Sequence, residues 1–235
     1  MIDALLSILY VPSCAACDAR VARGAPLCAP CAASLEPISA ACPRCAEPLA
    51  GPVSLVCARC RRRPLPIDGI VSPWRYGGEL GRALRRLKFE RRPDLGRALA
   101  PLIAPFLAAA ATAAGVDLVV PVPLHWRRLV ARGYNQADVL CRHAAAQLAV
   151  PCRPRLLRRR RATQPQTGLS ARHRARNLDG AFAVPTRSIP LVTGRRVLLF
   201  DDVVTTGATL AAAARALRAA GAASVHGFAV ARADG

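Results

Sequence analysis

Lysine is almost missing from this chain. Of its 34 basic residues one, Lys88, is a lysine and the others are arginine. A composition rich in Ala and Arg reflects a coding bias, which explains why arginine replaces lysine. It does not explain why only 14 residues are acidic, leaving a formal charge of +20. Aromatic residues are scarce as well, at 4%. That leaves a thin platform for stacking bases, with Trp126 and Tyr134 as candidates. A basic start is also lacking. Met1 to Tyr10 is apolar without the positive n-region of a secretory signal. Ser13-Cys14 faintly suggests a lipoprotein cleavage site, against which stand Pro12 and the missing basic start. Residues 98–116 carry no charge, which reaches the length of a membrane span. They are mostly Ala, with Pro101, Pro105, Thr112 and Gly115, and too weakly hydrophobic to insert. The expectation is a buried amphipathic helix in a soluble, cytoplasmic protein, not an integral membrane protein.

What is present is uneven. Of the basic residues 16 fall in residues 121–196, against 2 acidic ones. Such a field favours a phosphate-rich partner over a neutral one. A solvated basic surface is the plainer alternative. An apolar share of 53%, with Gly and Pro dispersed throughout, marks the chain as globular.

Eight of the ten cysteines form four C-x-x-C pairs: Cys14/Cys17, Cys28/Cys31, Cys42/Cys45 and Cys57/Cys60. Two thiolates in one tight knuckle reach a metal together, and a second knuckle completes a tetrahedron. Without a secretory signal a disulfide framework is the weaker reading. Eight thiolates suit two structural zinc ions, or one in a degenerate version. Sequential pairing of the knuckles closes short loops and is favoured over a cross-brace. Two four-thiolate zinc sites bring the protein charge down to about +16. Cys141 and Cys152 have no partner spacing and read as ordinary buried cysteines. Residues 61–66, RRRPLP, read as a linker, dividing a Cys-rich domain at 1–66 from a main domain at 67–235.

In the main domain, residues 67–78 read as a strand or hairpin, and 79–92 and 95–114 as helices. Residues 117–123 form a strand, 136–148 a helix, and 151–157 a further candidate strand. Then come a strand at 195–200, a helix at 208–220 ended by Gly221, and a strand at 224–231. Alternating strands and helices give an α/β fold, a doubly wound and mainly parallel sheet, with ligands beyond the carboxyl ends of the strands. One loop stands at such an end. Asp201 and Asp202 follow four apolar residues, and Val203-Val204-Thr205-Thr206-Gly207-Ala208-Thr209 leads into a helix. Gly207 permits a tight turn. Successive N–H groups and the helix N-terminus can cradle a phosphate, with Thr205, Thr206 and Thr209 adding hydroxyls. The two acids suit ribose hydroxyls, directly or through magnesium-bound water. Acidic helix capping alone does not require two adjacent acids before T-T-G-x-T.

VLLFDDVVTTGAT at 197–209 resembles the thirteen-residue signature of type I phosphoribosyltransferases. With the paired C-x-x-C front end, PVPLHWRRLVARGYNQA at 121–137 and TQPQTGLSARHRARNLDGAF at 163–182, the chain resembles the ComF (GntX-like) family over nearly its whole length. The resemblance implies a type I phosphoribosyltransferase fold behind a small double zinc-ribbon domain. It also implies phosphoribosyl pyrophosphate (PRPP), or a related phosphate ligand, with Mg2+ on the loop. Arg127, Arg128 and Arg132 would then meet the pyrophosphate, where Arg grips phosphate bidentately. Residues 158–180 correspond to a mobile flap with Arg161, Gln166, Arg172 and Asn177 as contacts. A role in natural transformation follows, handling single-stranded DNA in the cytoplasm beside proteins of the DNA-uptake machinery. A working phosphoribosyltransferase is the alternative. Its acceptor half is poorly marked: Thr205 stands where purine-type members often carry a carboxylate, and the flap lacks the lysine of orotate-type members. A catalytically inert zinc-ribbon adaptor is the third reading, disfavoured by the intact acids and T-T-G-x-T run.

Overall fold

The computed structural model describes residues 12–50, 55–146, 148–161, 178 and 180–234. Its strands are β1 (Gly69–Val71), β2 (Trp74–Arg75), β3 (Leu118–Pro121), β4 (Arg158–Arg159), β5 (Phe182–Ala183), β6 (Arg196–Val204) and β7 (Ser224–Arg232). The main sheet is parallel, in the order β3-β6-β7-β1, and β2 continues the β1 edge along β7. Residues 67–78 therefore form no hairpin. They are one edge strand interrupted at Ser72-Pro73, and proline, lacking an N–H, is tolerated on such an edge.

β6 and β7 are apolar almost throughout because both sheet faces are covered. Alternate residues enter different cores: Leu198, Phe200, Phe228 and Val230 one, Val197, Leu199, Val225 and Ala229 the other. The helix Asp94–Ala113 is apolar and long enough to cross a membrane. Here its Leu95, Leu99, Ile103 and Leu107 enter the first core. Pro101 and Pro105, four residues apart, stay together on the exposed face, where carbonyls freed by the missing N–H groups meet water. At Gly96 this helix touches the helix Gln136–Ala145 so closely that a Cβ would lie 2.3 Å from Val139 Cγ1.

Two buried arginines pin the cysteine-rich region to the sheet domain. Arg86 donates to the Ala15 carbonyl at 3.1 Å and to Asp18 at 2.6 Å, while its Nε meets Glu90 at 2.9 Å. Arg232, at the end of β7, donates to the Cys45 carbonyl at 2.6 Å and pairs with Glu47. The first arginine secures the first pair of knuckles and the second secures the other. The segment read as a linker is packed as well: Leu65 lies against the second cysteine cluster, and Arg44 donates to its carbonyl at 3.1 Å.

Three expectations change. Residues 151–157 make one bridge, Cys152 to Val119, instead of a strand. The helix Trp126–Arg132 was not anticipated; His125 Nδ1 accepts from the Arg127 N–H at its start, and Gly133 ends it at φ 82°. The third concerns the acidic pair: β6 runs four residues past Phe200, so Asp201 and Asp202 lie within the strand.

Candidate functional site

The carboxyl end of β6 opens on a cavity of about 560 Å³. Asp201 pairs with Ala229 in the β6–β7 ladder, so the acids are held by backbone hydrogen bonds on a sheet, not on a free loop. Gly207 takes φ 78° and begins the helix Ala208–Ala219. A Cβ there would lie 2.9 Å from Leu65 Cδ1 and 3.1 Å from Ile70 Cδ1. Both the turn and the packing beneath it thus exclude other residues. Asp201, Asp202, Thr205, Gly207, Ala208 and Thr209 line the cavity. Thr206 turns inward to the backbone, its hydroxyl accepting the Ala208 N–H at 3.4 Å.

The opposite wall is basic. Arg128 and Arg132 line it, as their place after the 121–125 strand end suggests. Arg127 does not; its guanidinium lies 5.5 Å from the Trp126 ring centre. Arg161 is exposed and also outside the lining. Gln166, Arg172 and Asn177 lie outside the described residues. Three polar lining residues were not anticipated: Lys88, Gln136 and Arg159. Lys88 had left a signal, as the one lysine in an arginine-biased chain. Gln136 lay inside the 121–137 stretch without an assigned role.

These additions organise the acids. Lys88 Nζ lies 2.5 Å from Asp202 Oδ2. Gln136 Nε2 donates to Asp202 Oδ1 at 3.4 Å, and Gln136 Oε1 accepts from Arg132 at 3.0 Å. Gln136 is held in turn by Asn135, which caps its helix at Ala137 N (3.2 Å) and donates to the Val122 carbonyl at 3.0 Å. Burial opposes both carboxylate charges. For Asp202 the Lys88 ammonium outweighs burial and holds the carboxyl below its ordinary range. For Asp201 burial and the neighbouring Asp202 charge prevail, and the carboxyl is pushed well above that range. Lys88 thus favours charge on Asp202, while burial and the Asp202 charge oppose it on Asp201.

The cysteines form two clusters, Cys14/Cys17/Cys28/Cys31 and Cys42/Cys45/Cys57/Cys60, with the sulfurs of each within 4.8 Å of one another. Pairing is sequential. A tetrahedral Zn site with Zn–S near 2.3 Å has edges of about 3.8 Å. Cys17–Cys28 at 3.7 Å, Cys17–Cys31 at 3.6 Å and Cys45–Cys57 at 3.7 Å match it. The backbone N–H of Cys57 points to Cys42 Sγ at 3.3 Å. Burial disfavours the Cys42 thiolate, but backbone N–H groups of Cys57, Arg44 and Cys45 outweigh it and the thiol falls to about 7. Both clusters fit structural zinc.

Comparison with known proteins agrees with this geometry. Residues 5–61 match the double zinc ribbon domain family, and residues 136–234 match the phosphoribosyl transferase domain family. The DNA utilization protein YhgH of Salmonella typhimurium is 39% identical over 203 residues, covering 85% of this chain and 87% of that protein. YhgH of Escherichia coli K12 is 37% identical over the same shares. Competence protein F of Haemophilus influenzae is 35% identical over 182 residues, covering 75% of this chain and 78% of its own. A parallel sheet with a phosphoribosyltransferase loop at its carboxyl edge, preceded by two tetrahedral cysteine clusters, places this chain in the family of competence protein F and the YhgH proteins.

Proposed function

We propose that this protein binds PRPP, or a related phosphoribosyl ligand, in the cavity above β6 and handles single-stranded DNA during DNA uptake in the cytoplasm. The observation that carries the ligand reading is one arrangement: paired acids at the end of β6, a helix N-terminus after Gly207 at φ 78°, and Lys88, Arg128, Arg132 and Arg159 on the facing wall. Successive N–H groups at Gly207, Ala208 and Thr209 suit the 5-phosphate, the acids the ribose hydroxyls, and the cationic wall the pyrophosphate. Arg161, Gln166 and Arg172 remain candidate contacts from the flap. Magnesium suits the same end of the site, because it keeps several waters and takes one or two carboxylates beside substrate phosphates. Calorimetry with PRPP and Mg2+ tests the reading. The parent should bind, and the double variant Asp201→Ala, Asp202→Ala should not while retaining its zinc and fold. Equal binding by both would refute the assignment.

The DNA reading rests on the relatives' names and on one surface. Trp126 is 61% exposed, and Arg127 and Arg128 follow it along the helix Trp126–Arg132. An exposed ring beside guanidinium groups suits stacking on an unpaired base with phosphate contacts nearby. Tyr134 does not join it: its hydroxyl donates to the Leu87 carbonyl and its ring packs on the core. Transfer chemistry is the second reading, favoured by Asp201, whose raised carboxyl can hold a proton beside the ribose. Pyrophosphate release with a panel of nitrogenous bases decides it; turnover with any base promotes transfer over binding alone.

A further inference from the structure

Cys141 and Cys152 belong to neither zinc cluster. The fold brings their sulfurs to 3.3 Å. Cys141 sits in the helix Gln136–Ala145, fully buried against the sheet. Cys152 is partly exposed and makes a single parallel bridge to Val119 of β3. Its neighbours complete that rung: the Pro151 carbonyl accepts from Val119 N at 3.0 Å, and Arg153 N donates to the Val119 carbonyl at 2.8 Å. The outermost rung of the sheet and the helix covering it are thus joined at one point by two facing thiols. A disulfide has S–S near 2.05 Å, so closure needs the sulfurs to approach by about 1.2 Å. The contact with Cys141 lowers the Cys152 thiol, while burial raises Cys141 well above the ordinary range.

We infer that Cys141 and Cys152 form a thiol-modification site that closes reversibly to a disulfide by exchange with a small-molecule disulfide of the glutathione type. The reachable Cys152 thiolate attacks one sulfur of the oxidant. A Cys152–S–S–R bond forms, the oxidant's S–S bond breaks, and the first thiolate leaves. Cys141 then attacks the Cys152 sulfur and expels the second thiolate, which takes up the Cys141 proton as it leaves. Two protein thiols are oxidised, one external disulfide is reduced to two thiols, and the oxidant is restored by nothing in the protein. The bond ties the helix that carries Gln136, the partner of Asp202, to the sheet edge.

The test uses the full-length, zinc-loaded protein with glutathione disulfide, differential alkylation, peptide mass mapping and zinc assay of the same samples. The expected product is a Cys141–Cys152 cross-linked peptide, reversed by dithiothreitol, with both zinc ions retained. Its melting temperature should rise by about 5 °C, because the bond closes a short loop in the unfolded chain. Cys141→Ala, a small apolar change in a buried site, should trap Cys152 as the glutathione mixed disulfide. The inference is overturned if both thiols stay open to alkylation in the parent, if the parent stops at the mixed disulfide, or if either sulfur bonds instead to a ribbon cysteine with loss of zinc.

Discussion

Replacing Lys88 by Met removes the cation beside Asp202 while keeping most of the side chain's volume. The Lys88 and Asp202 side chains are 19% and 5% exposed, so the remaining carboxylate would have little access to water. Breaking a buried pair from one side costs about 3 to 5 kcal/mol. A carboxyl can limit that cost by taking a proton, which makes the loss depend on pH. In the parent, Asp202 is depressed below its unfolded value. Its stabilising contribution is complete above the carboxylate range and is lost only on acidification through the lowered folded value. In the variant the sign reverses. The folded carboxyl rises above its unfolded value, and Asp201 loses the same neighbouring charge. The native variant then binds more protons than the native parent, so its deficit is largest at high pH and narrows as pH falls. Each pH unit across which it holds one extra proton is worth about 1.4 kcal/mol. Urea unfolding of parent and variant at pH 8.5 and pH 6 should show a deficit of about 4 kcal/mol that shrinks by about 1 to 2 kcal/mol. Zinc must be assayed at both pH values, since thiolate ligands also bind protons. A deficit equal at the two pH values would refute the ion-pair account and leave only lost packing.

Gly207→Ala forces a left-handed backbone on a residue whose Cβ would meet Leu65 and Ile70; a stability loss of about 2 kcal/mol and at least a tenfold weaker PRPP affinity are expected by thermal unfolding and calorimetry. Arg232→Met leaves the Cys45 carbonyl without its buried donor. It should cost about 2 kcal/mol and release zinc to a chelator from one site sooner than from the other, and simultaneous release would contradict separate anchoring. Trp126→Ala should weaken single-stranded DNA binding by about tenfold at low salt. Tyr134→Phe, which removes only an internal hydrogen bond, should leave that binding unchanged.

The site was legible where chemistry is carried by contiguous residues and obscure where it is carried by distant ones. Asp201, Asp202, Thr205 and Gly207 stand in one run, and a strand, a tight turn and a helix start fix their positions locally. Their neighbours do not share that run. Lys88 arrives from a helix before the site, Gln136 from another, and Arg159 from β4. No period or spacing links those positions to residue 202. The same limit explains Arg127. On a short helix, adjacent residues point about 100° apart, so Arg128 and Arg132 can face the cavity while Arg127 turns to Trp126.

By itself the sequence indicated the cysteine clusters suited to zinc, the parallel sheet and the strand, turn and helix start at 197–209. Each is a short-range pattern: knuckle spacing, unbroken apolar strands, and a glycine where the chain must turn left-handed. Only the tertiary structure decided that the acids lie inside β6, that Lys88 pairs with Asp202 and not with Asp201, and that Arg86 and Arg232 lock the ribbons to the sheet. Only it brought Cys141 and Cys152 together. These depend on burial and on pairs far apart along the chain, and both are set by how the helices close over the sheet.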